Sequence, residues 1–367
     1  MKNIHIALVG GQTFPVYLGI MDSKPDRVIL IHSEQTQEEA ERIANEIQIK
    51  TELLLFDPVD LNIIFKKTED CAIKIEDADN VSVNISGGTK PWSLAFFSVF
   101  GKRENVKIIY VDQNCNVWDF STGIKHTFAF NMDAQFRLYG NPLVKYTPYI
   151  NYTDEDYKVL LKIKKLRRHN KKELLTLLKE FELKEKTISS CTPKNSSLSW
   201  NQGTQTFYCT LKNNNDDDCS EQLSSPHIRQ LLLNTGWFEY EVARLLSDWD
   251  KAKEIRMNCV FPSKEDLPKN EIDIIIDTGS KLLFIECKIS VYNATDIDKF
   301  NSAVKNYGGI GSKAILITEN EPSAKVKEKC DDYDIMYFAL SQNMLGQEPS
   351  KMLYILLNQE LFNINPK

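Results

Sequence analysis

Short apolar runs alternate with amphipathic stretches from the start of the chain to about residue 145. The apolar runs predict β-strands at Ile4–Val9, Arg27–His32, Glu52–Phe56, Asn80–Ile85 and Lys107–Val111. The amphipathic stretches predict α-helices at Gln37–Ile47, Asp60–Lys67 and Pro91–Gly101. A short hairpin follows, with predicted strands Val117–Phe120 and Lys125–Phe128. Strands that alternate with helices in this way are typical of a parallel α/β sheet.

The pattern changes near residue 150. Acidic residues after Thr153 mark a helix start, and the composition remains helical, with a basic middle, to about Lys186. Residues 187–226 are polar and rich in turn formers, with one strand-like run at Thr204–Leu211. The Asn- and Asp-rich run 213–218 predicts a mobile loop. We therefore expect a helical linker and a polar insertion at residues 149–225.

The last third of the chain predicts a second α/β unit. Its predicted helices are His227–Trp249, Asp296–Tyr307 and Pro322–Cys330. Its predicted strands are Glu254–Phe261, Asn270–Ile276, Leu282–Lys288 and Ala314–Ile317. The chain thus predicts two α/β domains, at residues 1–148 and 226–367, which fits its length of 367 residues.

Composition narrows the class of protein. A hydrophobic fraction of 42% and a charged fraction of 26% are typical of a soluble globular protein. The net charge of −6 provides no general attraction for nucleic acid, so any such contact must be local. No apolar stretch approaches the roughly 20 residues of a membrane span. The eight cysteines form no CxxC pair and indicate reduced thiols, so we expect a cytoplasmic protein that contacts no membrane.

The strongest chemical signal lies in two neighbouring strands that a turn at residues 277–281 connects. Asp273 lies in the first strand, and the second ends in Glu286-Cys287-Lys288. Side chains two residues apart on a strand share a face, so Glu286 and Lys288 point the same way. Carboxylates in such apolar strands are costly unless they are paired or bound to a metal.

These residues predict a metal-dependent phosphodiesterase site. Asp273 and Glu286 are hard oxygen ligands that suit Mg²⁺ or Mn²⁺, and the Cys287 carbonyl is a further candidate ligand. Lys288 is expected to orient the nucleophile or to stabilise developing negative charge. The alternative is a pair of solvent-facing strand charges.

Two helices offer further candidates. Glu239 and Glu241 border the apolar face of the predicted helix on opposite sides; we choose Glu239 as the helix contribution, although periodicity alone does not separate them. Lys305, which precedes Tyr307-Gly308-Gly309, is the candidate for substrate binding. The basic run from Lys162 to Lys172 is expected to be mostly a solvated helix face.

Two glycine-bearing turns follow strands of the first domain. Each combines close-approach glycines with polar donors, and the residues are Gly10, Gly11, Gln12 and Thr13 in one turn and Ser86, Gly87, Gly88, Thr89 and Lys90 in the other. Backbone amides at such turns, and the helix N-terminus after the second, favour a phosphate ligand. Ser33, Gln35, Thr36, Asp112 and Gln113 end neighbouring strands and are candidates to flank a base or ribose, or are simple loop ends. Neither GxGxxG nor GxxxxGK[ST] is present, which argues against a dehydrogenase or a P-loop NTPase.

Both halves resemble known families. A helix Glu, a strand Asp and Glu-x-Lys resemble the PD-(D/E)xK restriction-endonuclease fold, although Glu271-Ile272-Asp273 stands where a Pro-Asp pair is usual. The strings 236–239 and 307–311 are similar to nucleases attached to CRISPR-associated Rossmann-fold (CARF) domains. Asn84-Ile85 with the second glycine turn resembles the CARF signature, and the first turn with Pro15 resembles that family's first loop; Pro91-Trp92 departs from the family's aliphatic residues.

The resemblance implies a Rossmann-like sensor domain followed by a restriction-endonuclease-like domain. It implies a homodimer that binds a cyclic oligoadenylate, with the tetra-adenylate expected, and that cleaves single-stranded DNA, RNA or nicked duplex in type III CRISPR defence. Three alternatives stay open: a constitutive nuclease, a non-enzymatic nucleotide-responsive regulator, and a sensor domain that also breaks down its ligand with help from Lys90.

Overall fold

The computed structural model describes residues 2–76, 79–183, 189–192, 195–213, 217–233, 235–262, 271–291, 295–309, 311–341 and 348–364. Within these ranges the chain forms three β-sheets connected and covered by helices. In the same ranges, none of the helices combines the length and the apolar character that a membrane span requires.

A seven-stranded sheet occupies the N-terminal part. Its strands are β1 (Asn3–Leu8), β2 (Arg27–His32), β3 (Thr51–Leu55), β4 (Asn80–Asn84), β5 (Val106–Val111), β6 (Asn116–Asp119) and β7 (Lys125–Thr127), in the order β3-β2-β1-β4-β5-β6-β7. The first five are parallel, and β6 and β7 add an antiparallel hairpin at the edge. Helices α1 (Phe14–Ser23) and α2 (Gln37–Ile47) pack on one face, and α3 (Leu61–Ile73) and α4 (Lys90–Phe100) on the other. Because both faces are covered, β1 and β2 are buried from their second residue onward.

Three connecting elements follow: α5 (Met132–Leu138), β8 (Lys145–Pro148) and the long α6 (Asp154–Leu183). Helix α6 is kinked at Asn170, which has φ −156° and ψ 88°. The Asn170 side chain donates a hydrogen bond to the Lys212 carbonyl and accepts one from the Glu173 amide, so it caps the second half of the helix.

A four-stranded antiparallel sheet follows α6, where we had expected an insertion with a single strand. Its strands are β9 (Ser189–Cys191), β10 (Ser197–Asn201), β11 (Thr206–Lys212) and β12 (Asp218–Leu223). Leu198, Phe207 and Leu211 are buried in the core that includes residues of α6. These buried residues alternate with outward-facing Ser, Thr and Asn. Because half of each strand is polar, the sequence of this segment was read as a turn-rich insertion. Asn214–Asp216, in the loop expected to be mobile, lie outside the described residues.

A mixed six-stranded sheet forms the C-terminal part, in the order β17-β16-β15-β14-β13-β8. Its elements are α7 (Ile228–Leu232), α8 (Gly236–Ser247), β13 (Glu254–Val260), β14 (Glu271–Asp277), β15 (Leu282–Lys288), α9 (Thr295–Tyr307), β16 (Lys313–Thr318), α10 (Ala324–Asp332), β17 (Ile335–Ala339) and α11 (Pro349–Phe362). Helices α6, α8 and α11 cover one face, and α5, α9 and α10 cover the other. The predicted class, two α/β units with a parallel-rich N-terminal sheet, is confirmed.

The single predicted helix His227–Trp249 is wrong. Thr235 adopts the left-handed conformation, with φ +66°, and separates α7 from α8. The next residue is Gly236, where a Cβ would collide with the carbonyl oxygen of Gln230. The two short helices carry one continuous apolar pattern, and the break therefore left no signal in the periodicity.

Candidate functional site

Asp273 and the Glu-x-Lys segment meet at one end of the β14–β15 pair. The antiparallel register runs from Asp277 opposite Leu282 to Ile274 opposite Ile285. Beyond the Ile274–Ile285 pair the Asp273 side chain contacts β15: its Oδ2 accepts a hydrogen bond from the Cys287 amide at 2.7 Å. The hairpin therefore holds the Asp273 carboxylate beside the end of β15.

Because side chains alternate along a strand, those of Glu286, Cys287 and Lys288 lie on the two opposite faces of the sheet. The Cys287 side chain is buried in the core beneath α6, α8 and α11. Glu286 and Lys288 point to the other side, where Lys288 Nζ lies 2.6 Å from Glu286 Oε1. An ammonium group thus stands beside the carboxylate that the sequence singled out.

Helix α8 contributes Glu239 from its first turn. Buried neighbours Trp237, Phe238 and Tyr240 fix this turn against the core. The Thr235 side chain hydrogen-bonds to Glu239, and Glu239 interacts electrostatically with the strand carboxylates. Glu241 instead forms an ion pair with Lys164 of α6. The structure thus separates two glutamates that periodicity left unresolved.

The cluster concentrates negative charge where little water reaches. Burial, followed by the Glu271 carboxylate, raises the pKa of Glu239 to about 7. Burial and the Glu286 and Glu239 carboxylates raise the pKa of Asp273 well above its usual range. Burial also raises the pKa of Glu286, against the opposing effect of Lys288. Burial alone would lower the pKa of Lys288, but the Glu286 and Asp273 carboxylates raise it overall.

Two acidic neighbours were not among the predicted site residues. Asp296, in the first turn of α9, contributes to the raised pKa of Glu286, and Glu271 at the start of β14 acts on both Glu239 and Glu286. The helix start at Thr295-Asp296 was visible in the sequence, but its proximity to β15 depends on the fold. With these residues the site holds five carboxyl groups and one ammonium group.

The donor set fits a hard divalent cation. Among the described residues, no group of three or more His, Cys, Asp or Glu side chains is arranged to hold a metal ion. Asp273 and Glu286 form a different set, two carboxylates beside the Cys287 backbone. The Glu286 and Glu239 carboxylates raise the proton affinity of Asp273, and a cation would relieve that repulsion. Mg²⁺ and Mn²⁺ have the oxygen preference that this pair offers.

A cleft of about 780 Å³ opens beside the carboxyl ends of β16 and β17. Four cations of α6 line one wall: Lys164, Arg167, Arg168 and Lys171. At the floor, the Glu319 amide donates to the Lys288 carbonyl at 3.1 Å, so the cleft adjoins the catalytic strand. Arg167 is 2.7 Å from Glu319 and lies 4.2 Å from the centroid of the Trp237 ring.

The basic run of α6 is mostly solvated, as expected: of its seven Lys and Arg side chains only that of Arg167 is buried, although several also contact other elements. Lys162 donates to the Gln222 carbonyl, and Lys165 pairs with Glu221, so both fasten α6 to the four-stranded sheet. The cleft-lining cations recur at helical spacing, which places them on one side of α6.

Lys305 lies apart from the carboxylate cluster. It is exposed near the C-terminal end of α9, with Nζ 5.5 Å from the centroid of the Tyr333 ring. Nine residues separate it from Asp296, which is about 14 Å along a helix axis. Its part in substrate binding stays a prediction.

The two glycine turns meet at the point where strand order reverses, between β1 and β4. A Cβ on Gly10 would lie 2.9 Å from the Gly88 amide nitrogen, so only glycine allows the two turns to touch. Gly88 also has φ +72°. The carboxyl edge at such a reversal is where open α/β sheets bind ligands.

The other predicted ligand residues lie on the same edge. Thr36 Oγ1 donates to the Val9 carbonyl at 3.3 Å, and the Val111 amide donates to Ser86 Oγ at 2.7 Å. Ser33 is bound to Thr36, while Gln35 and Gln113 are exposed. Turns after β1, β2, β4 and β5 thus share one surface.

Several of these groups are already engaged. Asp112 accepts hydrogen bonds from Asn116 and Trp118 within its own hairpin. Thr13 is buried and donates to the Leu138 carbonyl at 3.3 Å, and Gln12 accepts from the Tyr139 hydroxyl at 2.6 Å.

Residues at the start of α4 and in the glycine turns differ in how far they are free to contact a ligand. Thr89 caps the helix by accepting from the Trp92 amide, and Lys90 is exposed at its first residue. Gly11 is exposed, with open space around it, while the Gly87 backbone packs closely on Leu8. Trp92, which departs from the family pattern, is buried and donates to the Asp57 carbonyl at 2.7 Å.

Sequence comparison assigns both ends of the chain. The family model of the Card1 CARF domain matches residues 4–137. The family model of the Card1-like endonuclease domain matches residues 227–338. A search of curated proteins found no match.

Solved structures share the whole architecture. Can2 from Sulfobacillus thermosulfidooxidans, in complex with cyclic tetra-adenylate, gives a TM-score of 0.67 at 18% identity over 98% of this chain and 99% of that chain. Protein VC1899 from Vibrio cholerae gives 0.74 at 15% identity over 98% of each chain. A type III CRISPR defence DNA nuclease activated by cyclic oligoadenylate gives 0.57 at 15% identity, over 93% of this chain and 49% of that one. At these identities the likeness establishes the fold.

The order of the two matched domains agrees with the order of the two α/β units, and the glycine turns and the carboxylate cluster lie one in each. The chain therefore combines a domain similar to the Card1 CARF domain, at residues 4–137, with a domain similar to the Card1-like endonuclease domain, at residues 227–338.

Proposed function

We propose that the protein is a metal-dependent endonuclease that a cyclic oligoadenylate activates, acting in type III CRISPR antiviral defence. The observation that carries the proposal is the convergence of Asp273, Glu286 and Lys288 at one end of a hairpin, in a domain of an endonuclease family. The Can2 complex supports cyclic tetra-adenylate as the activator.

Asp273 and Glu286 would hold a divalent cation, Mn²⁺ or Mg²⁺, which would neutralise charge at the scissile phosphate and activate the attacking water. Lys288 presents its ammonium group to the phosphate oxygens, because Glu286 fixes its position. Glu239 closes the helix side of the site and offers a carboxyl group that accepts a proton or a water hydrogen bond near neutral pH.

We assign the nucleic-acid substrate to the cleft at the ends of β16 and β17, the first of which pairs with β15. Arg168 and Lys171 lie on its wall with exposed side chains, and the Glu319–Lys288 backbone contact connects its floor to the site. Cations spaced along one helix face suit a phosphodiester backbone, in DNA or in RNA.

We also propose a homodimer that binds one nucleotide ring across both CARF domains. Exposed apolar side chains on α3 and α4 support this: Leu94 is 69% exposed and Phe97 49% exposed, with Leu61 and Phe65 nearby. Single exposed apolar residues are common, but a group on two adjacent helices indicates a contact surface. A second copy of the chain is the occupant we propose.

The test is cleavage of labelled single-stranded DNA and RNA by the full-length protein with Mn²⁺. Reactions run with and without cyclic tetra-adenylate, and the Glu286→Ala variant is the blank. We expect cleavage that requires both the nucleotide and Glu286. Cleavage without nucleotide would indicate a constitutive nuclease, and its absence on these and duplex substrates would favour a non-enzymatic regulator. Chromatography of the nucleotide after incubation tests whether the CARF domain breaks the ring.

A further inference from the structure

Tyr139 touches both the glycine-turn surface and the endonuclease domain. Its hydroxyl donates a hydrogen bond of 2.6 Å to Gln12 Oε1, in the turn after β1. Its ring packs on Gly309, where a Cβ would lie 2.8 Å from the nearest ring atom. Gly309 also has φ +69°, so both space and backbone require glycine there. Burial raises the pKa of Tyr139 to about 12, and the hydroxyl therefore stays a donor at neutral pH.

The helix that carries Tyr139 is shared by two cores. Leu138 is buried in the core of the CARF sheet, and its carbonyl accepts from Arg42 at 2.9 Å. Phe136 is buried in the endonuclease core, with its ring centroid 5.1 Å from that of Phe261. Gln135 donates to the Gly308 carbonyl at 2.8 Å. Helix α5 is thus fixed to both domains, and Tyr139 follows directly after it.

The Gly308-Gly309 turn leads to the carboxylate cluster through α9. Tyr307 ends this helix and stacks on Phe261 with a centroid distance of 3.9 Å. At the other end of α9, Asp296 acts electrostatically on Glu286 and Lys288. A helix of thirteen residues spans about 18 Å and moves as a unit. A displacement at Tyr139 therefore has a continuous packed route to the site.

We propose that Tyr139 is the positioning residue that transmits nucleotide occupancy of the Gln12 turn to the Gly308-Gly309 turn and, through α9, to the catalytic carboxylates. The inference rests on the proposed function and adds its route of control. A nucleotide that competes for the Gln12 side chain changes the Tyr139 hydrogen bond, and the ring conveys the change because it fills the space above Gly309. A ligand shifts such an equilibrium only through contacts that differ between its two states.

The test uses full-length Tyr139→Phe, which keeps the ring and removes only the hydroxyl. We expect cyclic tetra-adenylate to bind within about threefold of wild type, while stimulation of cleavage at saturation falls roughly three- to tenfold, as for one hydrogen bond. Deuterium exchange at residues 300–309 gives a second readout that does not need cleavage: its change on nucleotide binding is lost in the variant. Gln12→Met, tested at saturating nucleotide, removes the acceptor of the same hydrogen bond. The double variant, with Gln12→Met and Tyr139→Phe together, is expected to show no further loss of stimulation.

Tyr354→Phe is the matched control. Its hydroxyl also donates one hydrogen bond, but to the backbone carbonyl of Leu245, on the opposite face of the endonuclease sheet. An equal loss in this control, or unchanged stimulation and exchange in Tyr139→Phe, would overturn the inference. So would a change in nucleotide affinity with full stimulation at saturation. If wild type binds nucleotide without any cleavage, the proposed function fails, and the exchange readout still decides the role of Tyr139.

Discussion

Glu239→Gln is expected to stabilise the metal-free protein, and increasingly so as pH rises. Glu239 has a pKa of about 7 in the folded chain against 4.5 ordinarily. A raised carboxyl pKa favours folding fully below pH 4.5, and this contribution is lost as pH rises through about 7. Glutamine mimics the neutral carboxyl group and does not ionise, so the variant keeps this stability at high pH.

The magnitude follows from the two pKa values. Compared with its value at low pH, the free energy of unfolding is lowered by ionisation of Glu239, by about 1 kcal/mol at pH 5.5 and about 3 kcal/mol at pH 8. The advantage of the variant therefore grows by about 2 kcal/mol between these pH values. For a domain of this size that corresponds to roughly 4–8 °C in the midpoint of thermal unfolding.

The assay is thermal unfolding in EDTA at both pH values, repeated with Mn²⁺. We expect Mn²⁺ to remove most of the difference at pH 8, since a cation neutralises the same repulsion. Glu241→Gln is the control: it lies two residues along α8, pairs with Lys164, and is expected to gain no stability at high pH. A difference between wild type and Glu239→Gln that is equal at both pH values would refute the argument that the cluster carries excess charge.

Three further outcomes test the site, the cleft and the dimer. Lys288→Ala is expected to slow cleavage roughly 100-fold in single-turnover assays, because it removes the ammonium group at the phosphate; unchanged rates would remove Lys288 from the mechanism. Arg168→Ala with Lys171→Ala is expected to raise KM several-fold at similar kcat and to lower the salt slope of binding by about two, measured by fluorescence anisotropy. Phe97→Asp is expected to yield a monomer by light scattering while the Mn²⁺ thermal shift persists.

The sequence predicted features whose signals are local. The alternation around Asp273 and Glu286-Cys287-Lys288 predicted the strand pair, because apolar neighbours make the charges conspicuous. The CARF sheet followed from strands buried on both faces. Helix α5 and strand β8 were not predicted, because short elements that contact two domains carry no amphipathic period of their own. Helix α1, strand β17 and helix α11 were not predicted either.

Spatial relations account for the gaps in the predicted site. The choice between Glu239 and Glu241 depends on where α6 places Lys164, which no periodicity records. The inclusion of Asp296 depends on how α9 approaches β15, and the cleft depends on two strand ends and three helices. Each is a contact between segments far apart in sequence.

The pairing of β8 with β13 bears on how this protein is divided in the laboratory and in evolution. Residues 145–148 supply the outermost strand of the endonuclease sheet, and α5 supplies Phe136 to its core. A fragment that begins at residue 150 would lose both and expose the hydrogen-bonding edge of β13. An exposed strand edge promotes aggregation. Recombination that exchanges nucleases between relatives is therefore expected to carry α5 and β8 along with the nuclease. A breakpoint near residue 130, just before α5, keeps both elements with the nuclease, and Leu138 of the incoming helix must then fit the CARF core.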